Sequence, residues 1–185
     1  MSKKVLLLHG WGGSDSPHWQ ANLASALAQE YGCVNFLRFS NFDAPKLDVW
    51  KKELQEALED FKPDIVICHS LANTLWFHLA NTTTLKTITQ LYLVAPPSMN
   101  CKVQEIEEFF PCKTPKNLFA KEVLLIGSSN DPYMSMQELQ KLQKELGVEL
   151  KVLQNAGHIN ADSGFGEWPW MLSELKSKLF TSTQA

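Results

Sequence analysis

Nothing in this 185-residue chain concentrates charge. Its 17 Lys and Arg stand against 20 Asp and Glu, for a formal net charge of −3, and the lysines are scattered. That pattern carries no basic footprint for nucleic acid and no polybasic patch for an anionic membrane. Long apolar runs are missing too, and none approaches the roughly 20 residues of a membrane-spanning helix. Residues 5–8 could mimic the apolar part of a signal peptide, but the run is short and no small-residue cleavage site follows, so a first strand is expected there. The four cysteines (Cys33, Cys68, Cys101 and Cys112) have neither metal-ligand spacing nor the density of a disulfide scaffold. Reduced thiols in a cytoplasmic protein without a metal site are the expectation. There are no internal repeats and no low-complexity segments. The glycine-rich stretch near residue 12 lacks both a Gly-Lys-Ser/Thr ending and G-x-G-x-x-G spacing, which disfavours a phosphate-binding loop.

What is present is an ordinary globular composition, 44% hydrophobic and 20% charged, on a length suited to one domain over residues 1–185. Six strands are predicted at 5–9, 34–39, 65–69, 91–95, 123–127 and 150–153. All but the second and last are near-continuous apolar runs, as strands covered on both faces require. Helical periodicity separates most of them. Trp19, Leu23, Leu27 and Tyr31 recur every four residues ahead of Gly32, while Leu47, Trp50, Leu54, Leu58 and Phe61 precede Pro63. A third helix is expected from Ser70 through Leu79, and a fourth opens at the capping box Ser135-Met136-Gln137-Glu138 and ends at Gly147. A fifth contains Trp168, Leu172, Leu175 and Leu179. Alternating strands and helices predict a three-layer α/β fold with a mainly parallel six-stranded sheet and helices on both faces. Residues 96–121, punctuated by prolines, suffice for a loop with a short helix near 105–110 but not for a large cap domain. The last residues, 181–185, are expected to fray.

Four short segments follow these strands in a telling order. They are His9-Gly10-Trp11-Gly12-Gly13, Cys68-His69-Ser70-Leu71-Ala72, Asp131-Pro132-Tyr133 and Gly157-His158. The sequence of glycine loop, serine, acid and histidine is the chain order of an α/β-hydrolase. Ser70 has the setting of a nucleophile elbow, in which a strand delivers the serine to a sharp turn at a helix start. Small residues are needed two positions either side, because strand and helix cross closely there, and Cys68 and Ala72 are both small. His158, in the loop after the last strand, is placed to act as general base. Asp131, after the fifth strand, is placed to orient its imidazole. Asp162 is the competing acid, though it would need an unusual geometry. The backbone N–H groups of Trp11 and Leu71 are the candidate oxyanion donors, each of which supplies about 3 kcal/mol in such sites. His9 fits a scaffold role in the glycine loop, His69 occupies the variable elbow position, His18 starts a helix, and His78 lies on a helix face.

Further matches extend from end to end of the chain. They include His18-Trp19-Gln20, Phe42-Asp43-Ala44-Pro45 ahead of Trp50, Val94-Ala95-Pro96-Pro97, Ser129-Asn130-Asp131-Pro132-Tyr133, Gly157-His158-Ile159-Asn160 and the tail Ser163-Gly164-Phe165-Gly166-Glu167-Trp168-Pro169. With these residues the chain resembles the small α/β-hydrolases grouped with retinoblastoma-binding protein 9 and the bacterial YdeN proteins. The resemblance implies a serine-hydrolase fold without a large cap and a triad of Ser70, Asp131 and His158. Two departures stand out: Ala72 replaces the commoner glycine, and Phe42 takes a place often held by tryptophan.

The sequence therefore predicts sheet order 2-1-3-4-5-6 and a serine hydrolase, either a carboxyl esterase or a small-substrate amidase or peptidase, working through an acyl-enzyme without metal or organic cofactor. Its partner is a small-molecule ester or amide, with no nucleic acid and no membrane. Trp11, Phe42, Met99, Tyr133 and Trp168 are candidate substrate contacts that favour a small apolar acyl or aromatic group. The alternative is a protein-binding module on a hydrolase scaffold with an idle site, since fold alone does not prove function.

Overall fold

The computed structural model describes residues 3–30 and 32–179. Strands β1 (Val5–Leu8), β2 (Val34–Leu37), β3 (Ile65–His69), β4 (Ile88–Val94), β5 (Ala120–Ser128) and β6 (Glu149–Leu153) form one sheet in the order β2-β1-β3-β4-β5-β6. Every strand pairing is parallel, so the expected order holds and the sheet is wholly rather than mainly parallel. The connecting helices are α1 (Trp19–Glu30), α2 (Leu47–Phe61), α3 (Leu71–Thr82), α4 (Met136–Leu146) and α5 (Pro169–Leu179). None of the described helices is long and apolar enough to cross a membrane.

Successive strand residues point to opposite faces, and the central strands are apolar on both because each face carries its own core. Leu6, Leu8, Val66, Cys68, Leu91, Leu93 and Leu125 pack with Trp50 and Leu54 of α2, Leu75 and Trp76 of α3, and Leu139 of α4. Val5, Leu7, Ile65, Ile67, Tyr92, Val94 and Ile126 pack with Trp19, Leu23 and Leu27 of α1 and with Met171 and Leu175 of α5. Three helices thus cover one face and two the other.

Where element ends differ from expectation, local chemistry explains them. β1 stops at Leu8 and β2 at Leu37, the last pair of their ladder. Beyond it, the Phe39 N–H donates to His9 Nε2 at 2.9 Å, so a side chain replaces the ladder. β4 and β5 begin earlier than their apolar runs, because backbone pairing continues through Ile88↔Ala120 and Gln90↔Glu122. α5 begins at Pro169 rather than including Trp168, since proline suits the first helical position. α4 has the expected capping box, in which the Glu138 N–H donates to the Ser135 side chain while the Ser135 N–H donates to the Glu138 carboxylate. The 96–121 segment carries a short 3₁₀ turn, Gln104–Phe109, that buries Ile106 and Phe109. Tyr31 and residues 181–185, for which a helical position and fraying were expected, lie outside the described residues.

Candidate active site

Ser70 sits between β3 and α3 with φ 53° and ψ −123°, a conformation non-glycine residues avoid at a cost of about 1–3 kcal/mol. The surroundings hold it there. Ser70 N–H donates to the Val94 carbonyl at 3.0 Å, and the fully buried Asn73 donates from Nδ2 to the carbonyls of Ser70 and Val94 at 2.8 and 2.9 Å. Gly10 lies directly against this turn. A Cβ placed on it would come within 2.7 Å of Ser70 Cβ and 3.1 Å of Ser70 Oγ. Gly10 is thus required for space rather than for an unusual φ.

His158 Nε2 is 2.8 Å from Ser70 Oγ, and its Nδ1 is 3.0 and 2.9 Å from the two carboxylate oxygens of Asp131. An ionised carboxylate can only accept, so Nδ1 carries the proton and Nε2 accepts from the serine hydroxyl. Asp131 is further fixed by the Tyr133 N–H, which donates to its Oδ1 at 2.9 Å. Asp162, the competing acid, makes no hydrogen bond to His158 among the described residues, although it borders the same cavity.

The histidine loop is gripped by the turn that follows β5. Asn155 N–H donates to Ser129 Oγ, Ala156 N–H to Ser128 Oγ, and Gly157 N–H to Asn130 Oδ1 at 2.8 Å. The run Ser128-Ser129-Asn130 therefore ties the acid's strand to the histidine's loop. Sequence reading matched Ser129 and Asn130 to a family motif but gave none of the three a role, because a polar turn after a strand has many other uses.

On the opposite side, the backbone N–H groups of Trp11 and Leu71 donate to no protein acceptor among the described residues, while Gly12 N–H is taken by the Phe42 carbonyl at 3.0 Å. His9 has the scaffold role expected of it. Its Nε2 accepts from Phe39, so Nδ1 carries the proton and donates to the Gly10 carbonyl at 2.7 Å. Burial holds its pKa below the ordinary histidine value. Burial likewise lowers His18 to about 4 and His69 well below the usual range. Beside His158, then, stand two imidazoles that remain neutral.

A cavity of about 380 Å³ opens over Ser70 and His158, with Trp11 and Tyr133 in its lining. That volume lies in the range of small-molecule sites. Tyr133 also packs edge-on to His158, with ring centroids 4.6 Å apart. The other three expected contacts do not line the cavity. Phe42 is packed against His9 and Gly13 beneath the Arg38 guanidinium. Met99 packs against the core on the α2–α3–α4 face. Trp168 lies edge-on to Trp19, 5.0 Å away, where it helps to cover α1. Conversely, Ile106, Pro97 and His18 line the cavity, which sequence reading did not assign to it. Among the described residues, no group of three or more His, Cys, Asp or Glu side chains is disposed to hold a metal ion.

The comparisons with known proteins bear on the family and the fold. The family model described as serine hydrolase matches residues 5–177, and the chain belongs to that family. The fold closely matches the ydeN gene product of B. subtilis, with TM-score 0.84 and 22% identity over 95% of this chain and 98% of that one. It is also similar to a putative YdeN-like hydrolase from Pectobacterium atrosepticum, with TM-score 0.77 and 26% identity over 94% and 89% of the two chains. A Pyrococcus furiosus esterase matches at TM-score 0.60 and 17% identity, over 96% of this chain and 82% of that one. No curated protein matches the chain by sequence. The YdeN side of the resemblance is thereby borne out, and the protein is an enzyme of the serine hydrolase class; the likeness to retinoblastoma-binding protein 9 stays an expectation from the sequence.

Proposed function

We propose that Ser70, His158 and Asp131 are a catalytic triad that hydrolyses a small carboxylic ester or amide through an acyl-enzyme. The observation that carries this reading is the continuous hydrogen-bonded chain from Ser70 Oγ to His158 at 2.8 Å and from His158 to Asp131 at 2.9 Å, at the floor of a cavity. Ser70 Oγ attacks the carbonyl carbon as its proton passes to His158 Nε2, and Asp131 stabilises the imidazolium so formed. The N–H groups of Trp11 and Leu71 receive the oxyanion. Neither donates to a protein acceptor among the described residues, and preorganised donors of this kind supply much of the rate enhancement in acyl transfer. As the tetrahedral intermediate collapses, His158 gives its proton to the departing alcohol or amine, leaving the acyl group on Ser70. Water then attacks the ester, His158 takes its proton, and collapse returns that proton to Ser70 Oγ with release of the acid. Each step draws on groups of the chain and one water.

The cavity suits a small substrate, and the Trp11 and Tyr133 rings at its sides favour an apolar or aromatic group there. The Pyrococcus furiosus protein of similar fold is an esterase, which supports testing esters first. Cys68, Cys101 and Cys112 are free thiols, which suits the reducing environment of a cytoplasm.

The test is a panel of p-nitrophenyl esters of graded acyl length, run with the wild type and Ser70→Ala. Turnover with an initial burst of p-nitrophenol, abolished in Ser70→Ala, is the expected result. Equal turnover by both proteins would overturn the triad. Absence of turnover across esters and aminoacyl amides would favour the protein-binding alternative.

A further inference from the structure

His69, the residue before the elbow serine, takes no part in the chemistry above. It is buried at the end of β3, and its Nε2 lies 3.1 Å from the carbonyl oxygen of His158, 89 residues away in sequence. A carbonyl only accepts, so Nε2 holds the ring proton and donates it. Nδ1 is then unprotonated and the ring neutral, in keeping with burial pushing its pKa well below the usual histidine value.

The ring is held from three sides. His18 stands 4.8 Å away at 64°, Trp19 5.7 Å away at 89°, and His158 itself 5.4 Å away at 50°. His18 is fixed in turn, because its Nδ1 accepts the Gln20 N–H at 3.1 Å. Trp19 does more than pack, since its Nε1–H donates to the Ile159 carbonyl at 2.8 Å. Two successive carbonyls of the histidine loop are therefore gripped by buried side chains. That loop needs gripping. Ile159 has φ 51°, a left-handed conformation that a β-branched residue strongly avoids, and Gly157 beside His158 has φ 53°.

We propose that His69 is a positioning residue for the base: its Nε2–H, beside the Trp19 N–H, fixes the strained peptide after His158 so that the imidazole stays in reach of Ser70. The proposal rests on the triad reading of the previous subsection. Its particular force is connectivity. One side chain is covalently next to the nucleophile and hydrogen-bonded to the base's own carbonyl, so it couples the two positions directly. Its neutrality matters as well, because a cation there would oppose the imidazolium that His158 becomes during turnover.

The experiment compares His69→Leu, which fills similar space without a donor, with His69→Gln, whose side-chain N–H can reach the same carbonyl. Folding is checked by circular dichroism and thermal melting, and Ser70→Ala is run alongside. A displacement of the base by about 1 Å costs roughly 100-fold in rate. His69→Leu should therefore lose kcat by about that factor with KM nearly unchanged, and fluorophosphonate labelling should slow in parallel. His69→Gln should recover most of the loss. A role in packing alone predicts instead that Leu and Gln variants, once folded, turn over like the wild type, and that outcome would overturn the proposal. If His69→Leu does not fold, His69→Phe, a ring of similar shape without a donor, takes its place: a loss of about 100-fold in kcat beside a near-wild-type His69→Gln supports the proposal, and wild-type kcat in the folded Phe variant refutes it. Activity retained by Ser70→Ala would instead remove the triad reading itself.

Discussion

Gly10→Ala isolates the packing on which the elbow depends. Gly10 has no left-handed φ, so alanine is conformationally admissible and the whole effect is steric. The new methyl would stand 2.7 Å from Ser70 Cβ. Ordinary carbon–carbon contact begins near about 3.5 Å, leaving an overlap of 3.5 − 2.7, or about 0.8 Å. Ser70 cannot retreat freely, because its N–H and carbonyl are tied to Val94 and Asn73. The strain must move the serine turn, the glycine loop or both, and either motion separates Ser70 Oγ from His158 or shifts the Trp11 N–H. An overpacking cost of about 1–3 kcal/mol follows, or a fall in Tm of roughly 2–12 °C for a chain this size. A displacement approaching 1 Å should lower kcat by about 100-fold. Gly147→Ala is the control. Its Cβ would meet nothing within 4 Å but would sit at φ 65°, so it should lose about 1–2 kcal/mol of stability with kcat unchanged. Steady-state ester hydrolysis and thermal melts on both variants make the comparison. A Gly10→Ala protein with wild-type kcat and Tm would refute the reasoning.

Three further expectations are open to direct measurement. Asp131→Asn should keep its melting behaviour yet lose about 10⁴-fold in kcat, because the amide stabilises no imidazolium and can select the wrong tautomer; Asp162→Asn should be mild, and the reverse ranking would move the acid to Asp162. Ala72, fully buried where α3 crosses β3, should tolerate glycine with a loss of up to about 1 kcal/mol but resist valine, at about 1–3 kcal/mol with lowered activity; a fully active, equally stable Ala72→Val would show the crossing to be looser than described. His18 titrates at about 4 when folded against 6.5 when exposed, so between those values the unfolded chain binds the extra proton. Its contribution to stability is complete above pH 6.5 and is lost as pH falls toward 4, by at most about 3 kcal/mol. His18→Gln should flatten that acid limb in urea unfolding at pH 7.5 and 4.5, and equal slopes for both proteins would contradict the assignment.

The central strands were legible because burial on both faces leaves an unbroken apolar run, as in Ile65-Val66-Ile67-Cys68. Their ends were not, since pairing such as Gln90↔Glu122 runs past the apolar residues where the backbone ladder, rather than hydrophobicity, decides. Ser70, His158 and Asp131 could be picked out as candidates because the chemistry restricts residue type and strand position together, and the structure brings them within hydrogen-bonding distance of one another. The residues that support them could not. Asn73, Ser128, Asn130 and His69 act through hydrogen bonds to backbone far away in sequence, and polar side chains in turns and elbows carry no mark of such partners. Aromatic type was a poor guide to the cavity. Trp11 and Tyr133 line it, whereas Phe42 and Trp168, of similar character, pack on His9 and Trp19. Periodicity cannot separate a ring that faces a cavity from one that fills a core.

The most direct measurement is labelling of the wild-type protein with a fluorophosphonate, followed by peptide mapping. Among the described residues, Ser70 alone combines a helix N-terminus with an imidazole 2.8 Å from its oxygen. The adduct should therefore fall on Ser70 alone and vanish in His158→Ala. An adduct on Ser128, Ser129 or Ser163, or no labelling of the folded protein at all, would contradict the assignment of Ser70 as the nucleophile.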